Sequence, residues 1–134
     1  MRKFWLGAAV LLAGCSIGKD LPVAEAQVKQ FHAMLDAGQF TQIYRAGAPE
    51  LRAATPEKDM VAIFDAVHRK LGAFQSATTT GWNDNFNNAD HFIVLNQKAK
   101  YAHGDAVEEF TYRLSGGKAT LAGYHVTSTA LITS

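Results

Sequence analysis

Ala106-Val107-Glu108-Glu109-Phe110-Thr111-Tyr112-Arg113-Leu114-Ser115-Gly116-Gly117 decides the fold of this chain. Glu108, Phe110, Tyr112 and Leu114 fall on one face and Val107, Glu109, Thr111 and Arg113 on the other, the period of a half-buried strand. Gly116-Gly117 supplies two residues that take positive φ without a Cβ clash, as a tight hairpin turn requires. The chain is therefore expected to return along Lys118 to Ser128 as an antiparallel partner. Upstream, His91 to Ala102 reads as a long strand closed by the turn His103-Gly104-Asp105. Phe74 to Trp82 contains three consecutive threonines, a β-branched run that favours another strand. Asn83 to Asp90 between them is expected to be a polar loop, and Thr129 to Ser134 a tail.

Before Gly72 the apolar period is helical. Thr55 is the expected N-cap of the clearest helix, with Pro56 at its first position and Glu57 and Asp59 at its positive end. Met60, Ile63, Phe64, Val67 and Leu71 form its apolar stripe; His68, Arg69 and Lys70 crowd its last turn, and Gly72 stops it. An earlier helix follows Pro22, with Val23, Ala26, Val28, Phe31, Met34 and Leu35 near helical spacing and Gly38 as its cap. A short helix covers Phe40 to Ala46, broken by Gly47 and Pro49. Three helices followed by a four-stranded antiparallel meander make an α+β domain over residues 22–128, with the helices on one face of the sheet.

The start of the chain carries a different signal. Arg2 and Lys3 precede an apolar run from Phe4 to Ala13, which ends in Leu12-Ala13-Gly14-Cys15. The run is about half the ~20 residues needed to span a bilayer, and its flanks are those of a secretory signal peptide. Leu-Ala-Gly-Cys resembles the lipobox of bacterial lipoproteins, which implies cleavage after residue 14 and acylation of Cys15. The expected organisation is then a signal peptide over residues 1–14, a lipidated tether over 15–21, and the domain. By the same resemblance, Ser16 directs the protein to the periplasmic face of the outer membrane. Cleavage removes two of the 13 basic residues, leaving 11 against 12 acidic ones. No basic patch marks nucleic acid as a partner. With the lone cysteine acylated, no disulfide forms within the chain, and the fold rests on its apolar core.

Leu35-Asp36-Ala37-Gly38-Gln39-Phe40 with Ile43-Tyr44, then Leu71-Gly72, and finally Leu121-Ala122-Gly123-Tyr124-His125-Val126-Thr127-Ser128 resemble small bacterial lipoproteins and secreted domains of the nuclear transport factor 2-like, cystatin-like superfamily. The resemblance spans Val23 to Ser128. It implies a curved sheet wrapped around a long helix, a conical cavity and a tendency to dimerise through the sheet. It carries no shared catalytic motif, so it implies fold and place rather than activity. Some members, such as ketosteroid isomerases, hold a carboxylate and a tyrosine in that cavity.

Glu108 is the first residue to test for chemistry, because it shares a face with Phe110, Tyr112 and Leu114. A carboxylate in an apolar cavity can serve as an acid or base. Tyr44, Phe64, Tyr112 and Tyr124 complete the candidate ligand pocket. The simpler expectation is that Glu108 lies near a hairpin end and reaches solvent. His32, His68, His91, His103 and His125 show no paired ligand spacing, so neither a metal nor a cofactor is expected. The Asn83–Asp90 stretch lacks the glycine and distal glutamate of a calcium loop. Trp82 and Phe86 beside it are candidates for an interaction surface. The leading expectation is a non-enzymatic, lipid-anchored envelope domain that binds a small apolar ligand or another envelope protein. The alternatives are a cavity enzyme using Glu108 with a tyrosine, and a periplasmic inhibitor or immunity protein acting through loop 83–90.

Overall fold

The computed structural model describes residues 19–132. The expected signal peptide, Cys15 and most of the tether lie outside these residues. Helix α1 (Asp20–Asp36) is followed by α2 (Phe40–Arg45), α3 (Pro49–Ala54) and α4 (Glu57–Leu71). Strands β1 (Phe74–Asn87), β2 (Asp90–Tyr101), β3 (Gly104–Ser115) and β4 (Lys118–Thr127) come next, and a single turn of helix, α5 (Thr129–Ile132), replaces the expected tail. The strands pair antiparallel in chain order, β1-β2-β3-β4. Helices pack against this open, curved sheet, which is the α+β architecture expected and is consistent with a nuclear transport factor 2-like or cystatin-like fold in general. No helix among the described residues is long and apolar enough to cross a membrane.

The helices begin and end where local chemistry dictates, with three departures, the first being that α1 opens at Asp20, inside the expected tether and two residues before Pro22. Gly38 takes φ 73° after α1, so its N–H reaches the Leu35 carbonyl and that of Gln39 reaches Met34. These two bonds satisfy carbonyls that a helix end otherwise leaves bare. Helix α4 starts one residue later than expected. Pro56 occupies the cap position in extended conformation, no side chain caps the helix, and the Thr55 carbonyl accepts the Tyr44 hydroxyl instead. Helix α3 was not expected, because Pro49, read as a breaker, instead occupies its first helical position. Gly47 precedes it where a Cβ would meet the Leu51 side chain at 2.5 Å and two backbone oxygens near 3 Å.

The hairpin between β1 and β2 corrects the polar-loop expectation. Pairing continues from Asn83↔Val94 to Asn87↔Asp90, leaving only Asn88 and Ala89 as the turn, with Asn88 at φ 60°. The asparagines are strand residues with exposed side chains, held by backbone pairing that composition does not reveal. Register shifts at Phe74/Ser76 and Thr79/Gly81 bulge β1, and another between Thr111 and Tyr112 falls on the β3–β4 pair. Such bulges bend a strand and strengthen its twist. They curve the sheet around α1, which touches all four strands.

The core lies between α1, α4 and the inner sheet face. Phe31 of α1 meets Phe64 of α4 and Phe110 of β3 edge to face, and Tyr124 of β4 at a tilt. Phe64 and Phe110 are wholly buried, and removing such a side chain from water stabilises the fold by about 1.5–3 kcal/mol each. Along β3 the inner residues are Ala106, Glu108, Phe110 and Tyr112, as the alternation required. Three of them are apolar or aromatic; the fourth is a carboxylate.

Candidate functional site

Glu108 is completely buried, which overturns the expectation that it reaches solvent. Burying a carboxylate without partners is prohibitive, and the fold brings it three. His32, one turn after Val28 on the buried face of α1, points Nε2 at Oε1 at 2.8 Å. The hydroxyls of Tyr101 on β2 and Tyr124 on β4 donate to Oε2 at 2.7 and 2.5 Å. Three elements of the sheet and one helix therefore converge on one carboxyl group.

The surroundings are largely aromatic. Phe74 at the start of β1 stacks flat on the His32 ring, centroids 3.7 Å apart and planes 7° from parallel. Phe110 and Tyr101 meet the same ring edge-on. Burial first, and the nearby Glu108 carboxylate second, push the phenols of Tyr101, Tyr112 and Tyr124 well above their ordinary value near 10. They stay protonated through the neutral range, and Tyr101 and Tyr124 act as donors. Because Nε2 faces a carboxylate, the His32 tautomer assigned by its partner carries the proton there and leaves Nδ1 as the free acceptor.

His32 connects this cluster to the surface. It lines a groove of about 610 Å³ between α1 and β1, whose apolar walls are Pro22, Ala26, Val28, Phe74 and Ala77. Gln97, opposite Glu108 in the β2–β3 register, lines the groove with it. The arrangement can do one thing chemically that an isolated imidazole cannot. A proton taken at Nδ1 yields an imidazolium already beside a fixed carboxylate, and the pair is then neutral within an apolar setting.

The other candidates fall elsewhere. Tyr44 donates to the Thr55 carbonyl at 2.7 Å and ties α2 to the start of α4. Phe64 is core. Tyr112 points inward, but its hydroxyl has no hydrogen-bond partner and does not reach Glu108. Of the candidate pocket, Tyr124 hydrogen-bonds Glu108 and packs its ring against Phe64. Trp82 and Phe86 lie on the far hairpin, Phe86 66% exposed and stacked on His91 at 4.2 Å. His32, Tyr101, Phe74 and Gln97 were missed. Tyr101 and Gln97 were accessible in principle, since Ile93, Leu95, Gln97, Ala99 and Tyr101 alternate along β2.

The histidine spacing that argued against metal also hid a grouping. Asp20 at the start of α1, Asp84 of β1 and His91 of β2 bring one donor atom each within 4.8 Å of one another. The His91 Nε2 and Asp84 Oδ1 are 2.8 Å apart, in partly exposed surroundings. Two carboxylates and an imidazole at the surface are also an ordinary solvated ion-pair group.

No protein-family model matches the chain, and no curated protein matches its sequence.

Proposed function

We propose that the domain is an acid–base site of the envelope, in which His32 exchanges a proton with a small molecule held in the α1–β1 groove and Glu108 holds and stabilises the ring. The observation that carries this is the hydrogen bond from His32 to a carboxylate with no solvent exposure, fixed on its other oxygen by two tyrosines. Glu108 does not meet the ligand itself, which alters the expected cavity chemistry. The carboxylate is the buried anchor and the imidazole is the group at the groove. Tyr101 and Tyr124 keep the carboxylate oriented by donating to the oxygen that His32 does not use. Phe74 excludes water from one face of the ring, which strengthens the pair electrostatically. The lipobox-like leader would hold this chemistry at the membrane through Cys15.

The test compares wild type with His32→Gln and Glu108→Gln across a panel of small metabolites. Positioned acid–base groups contribute roughly 10²–10⁴-fold, so His32→Gln should abolish turnover while leaving binding in the groove. Ring-nitrogen NMR of the full chain should show His32 protonated at Nε2 and bare at Nδ1. The opposite tautomer, or turnover indifferent to His32, would sink the proposal. A Cys15→Ala arm should release the protein from the membrane without altering either result.

If the panel yields tight binding and no turnover in any protein, the domain is a carrier, as the leading expectation from the sequence had it. The apolar walls of the groove support that second reading.

A further inference from the structure

We propose that Gln97 forms a hydrogen-bond-accepting subsite in the α1–β1 groove, selecting small, largely apolar molecules that carry an N–H or O–H donor. Gln97 is buried at 5% exposure, yet its Oε1 has no hydrogen-bond partner. Buried amide oxygens in folded proteins are nearly always paired. A ligand donor would supply the partner that no protein group provides.

The orientation of the amide is set by a relay. The Thr79 hydroxyl donates to Glu25 Oε2 at 2.7 Å, and Gln97 Nε2 donates to Thr79 Oγ1 at 3.0 Å. A carboxylate only accepts, so the single hydroxyl proton of Thr79 is committed to Glu25. Thr79 then presents Gln97 with lone pairs alone, and only the NH₂ end of the amide can face it. Turning the amide over would set two acceptors against each other. The carbonyl is therefore held as an acceptor; its oxygen is covered in this structure, and the side chain that carries it lines the groove, so a donor reaches it by parting that cover.

The position of the subsite matches the chemistry beside it. Gln97 pairs with Glu108 across β2–β3, which places their Cβ atoms about 5 Å apart, and Glu108 holds His32. Gln97 and His32 line the same groove, so a molecule donating to Gln97 lies in the space that His32 borders, with Val28, Ala77 and Phe74 around its apolar body. About 610 Å³ accommodates one or two fused rings. Placing the ligand beside His32 rests on the acid–base reading; the acceptor itself does not.

Two probe pairs separate the donor from shape: indole against benzofuran, and phenol against fluorobenzene. Each pair has nearly the same outline and differs by one N–H or O–H. Ligand-observed NMR titrations on the full chain should show the donor of each pair binding about tenfold more tightly to wild type. In Gln97→Met the preference should collapse to within about twofold. Thr79→Val releases the amide to rotate, keeps the strand residue β-branched, and should reduce the preference as well. Equal binding within both pairs, no binding by any probe at millimolar concentration, or a preference that survives Gln97→Met would overturn the subsite. A full preference in Thr79→Val would overturn the relay that orients it. The ring-nitrogen spectrum of His32 needs no ligand, so the two proposals fail separately. An Nε2-protonated ring without donor preference rejects the subsite alone; donor preference over an Nδ1-protonated ring rejects the acid–base reading alone.

Discussion

The same three-residue arrangement occurs twice among the described residues, once in the dark and once in water. In the core, Phe74 stacks on His32 and His32 pairs with Glu108 at 2.8 Å. At the far end of the β1–β2 hairpin, Phe86 stacks on His91 and His91 pairs with Asp84, also at 2.8 Å. The stacking planes differ from parallel by 7° and 8°. What separates the two is solvent: the paired side chains are 3% and 0% exposed in the core, and 24% and 39% exposed at the tip. Geometry alone therefore does not set what such a pair contributes. In the core each partner has given up water and depends on the other; at the tip each can return to water at little cost.

The sharpest way to break the comparison is to delete the carboxylate in each place. Glu108→Ala leaves His32 Nε2–H and the hydroxyls of Tyr101 and Tyr124 without their acceptor in a dry interior. Breaking a buried pair from one side costs about 3–5 kcal/mol, read as a shift of the denaturant midpoint. A loss under about 1 kcal/mol would show that the cluster re-pairs or hydrates easily, and the two sites would then be alike.

Alkaline titration sharpens the same contrast without mutation. Tyr101, Tyr112 and Tyr124 are held well above their ordinary value near 10, by burial first and by Glu108 second. Above that value the unfolded chain sheds phenol protons that the folded chain keeps. The unfolded state then binds fewer protons, so stability falls as pH rises. The contribution is complete below about pH 10 and is lost beyond it at about 1.4 kcal/mol per pH unit for each phenol. Denaturant unfolding between about pH 9 and pH 11, followed with phenolate absorbance, checks this. If all four tyrosines of the chain ionise near pH 10 with stability unchanged, the interior is wetter than the burial implies. The hairpin tip has no tyrosine and should not contribute.

The two sites were legible to different depths. Alternation through Ala106–Ser115 placed Glu108 on the inner face beside Phe110 and Tyr112, because strand period is local. It could not reveal the partner that makes burial tolerable. His32 lies 76 positions away, and the two meet only because α1 crosses the sheet at that register. Without a visible partner, solvent was the default for a charge. At the tip the failure ran the other way. Asparagine-rich composition from Asn83 to Asn88 signalled a loop, while pairing with β2 from Val94 to Asp90 carries the strand on to Asn87. The α4 boundary was nearly right because Pro56 and Gly72 act through their own backbone.

The smallest expected effect is at the tip, and it makes the comparison quantitative. Asp84→Ala removes a carboxylate whose histidine partner stays wet on one side, so the stability change should lie within about 0–1 kcal/mol and shrink further in salt. Single substitutions confound pairing with packing, since Phe86 also lies on the His91 ring. A double-mutant cycle isolates the pair: His91→Ala and Asp84→Ala at the tip, against His32→Gln and Glu108→Gln in the core. Conservative core changes keep the shapes that Phe74 and Phe110 pack against. The tip coupling should be under about 0.5 kcal/mol and salt-sensitive; the core coupling should exceed about 1.5 kcal/mol and ignore salt. Equal couplings would mean that the 2.8 Å contact, rather than its surroundings, sets the strength of both. The environment would then no longer distinguish His32 as the functional imidazole.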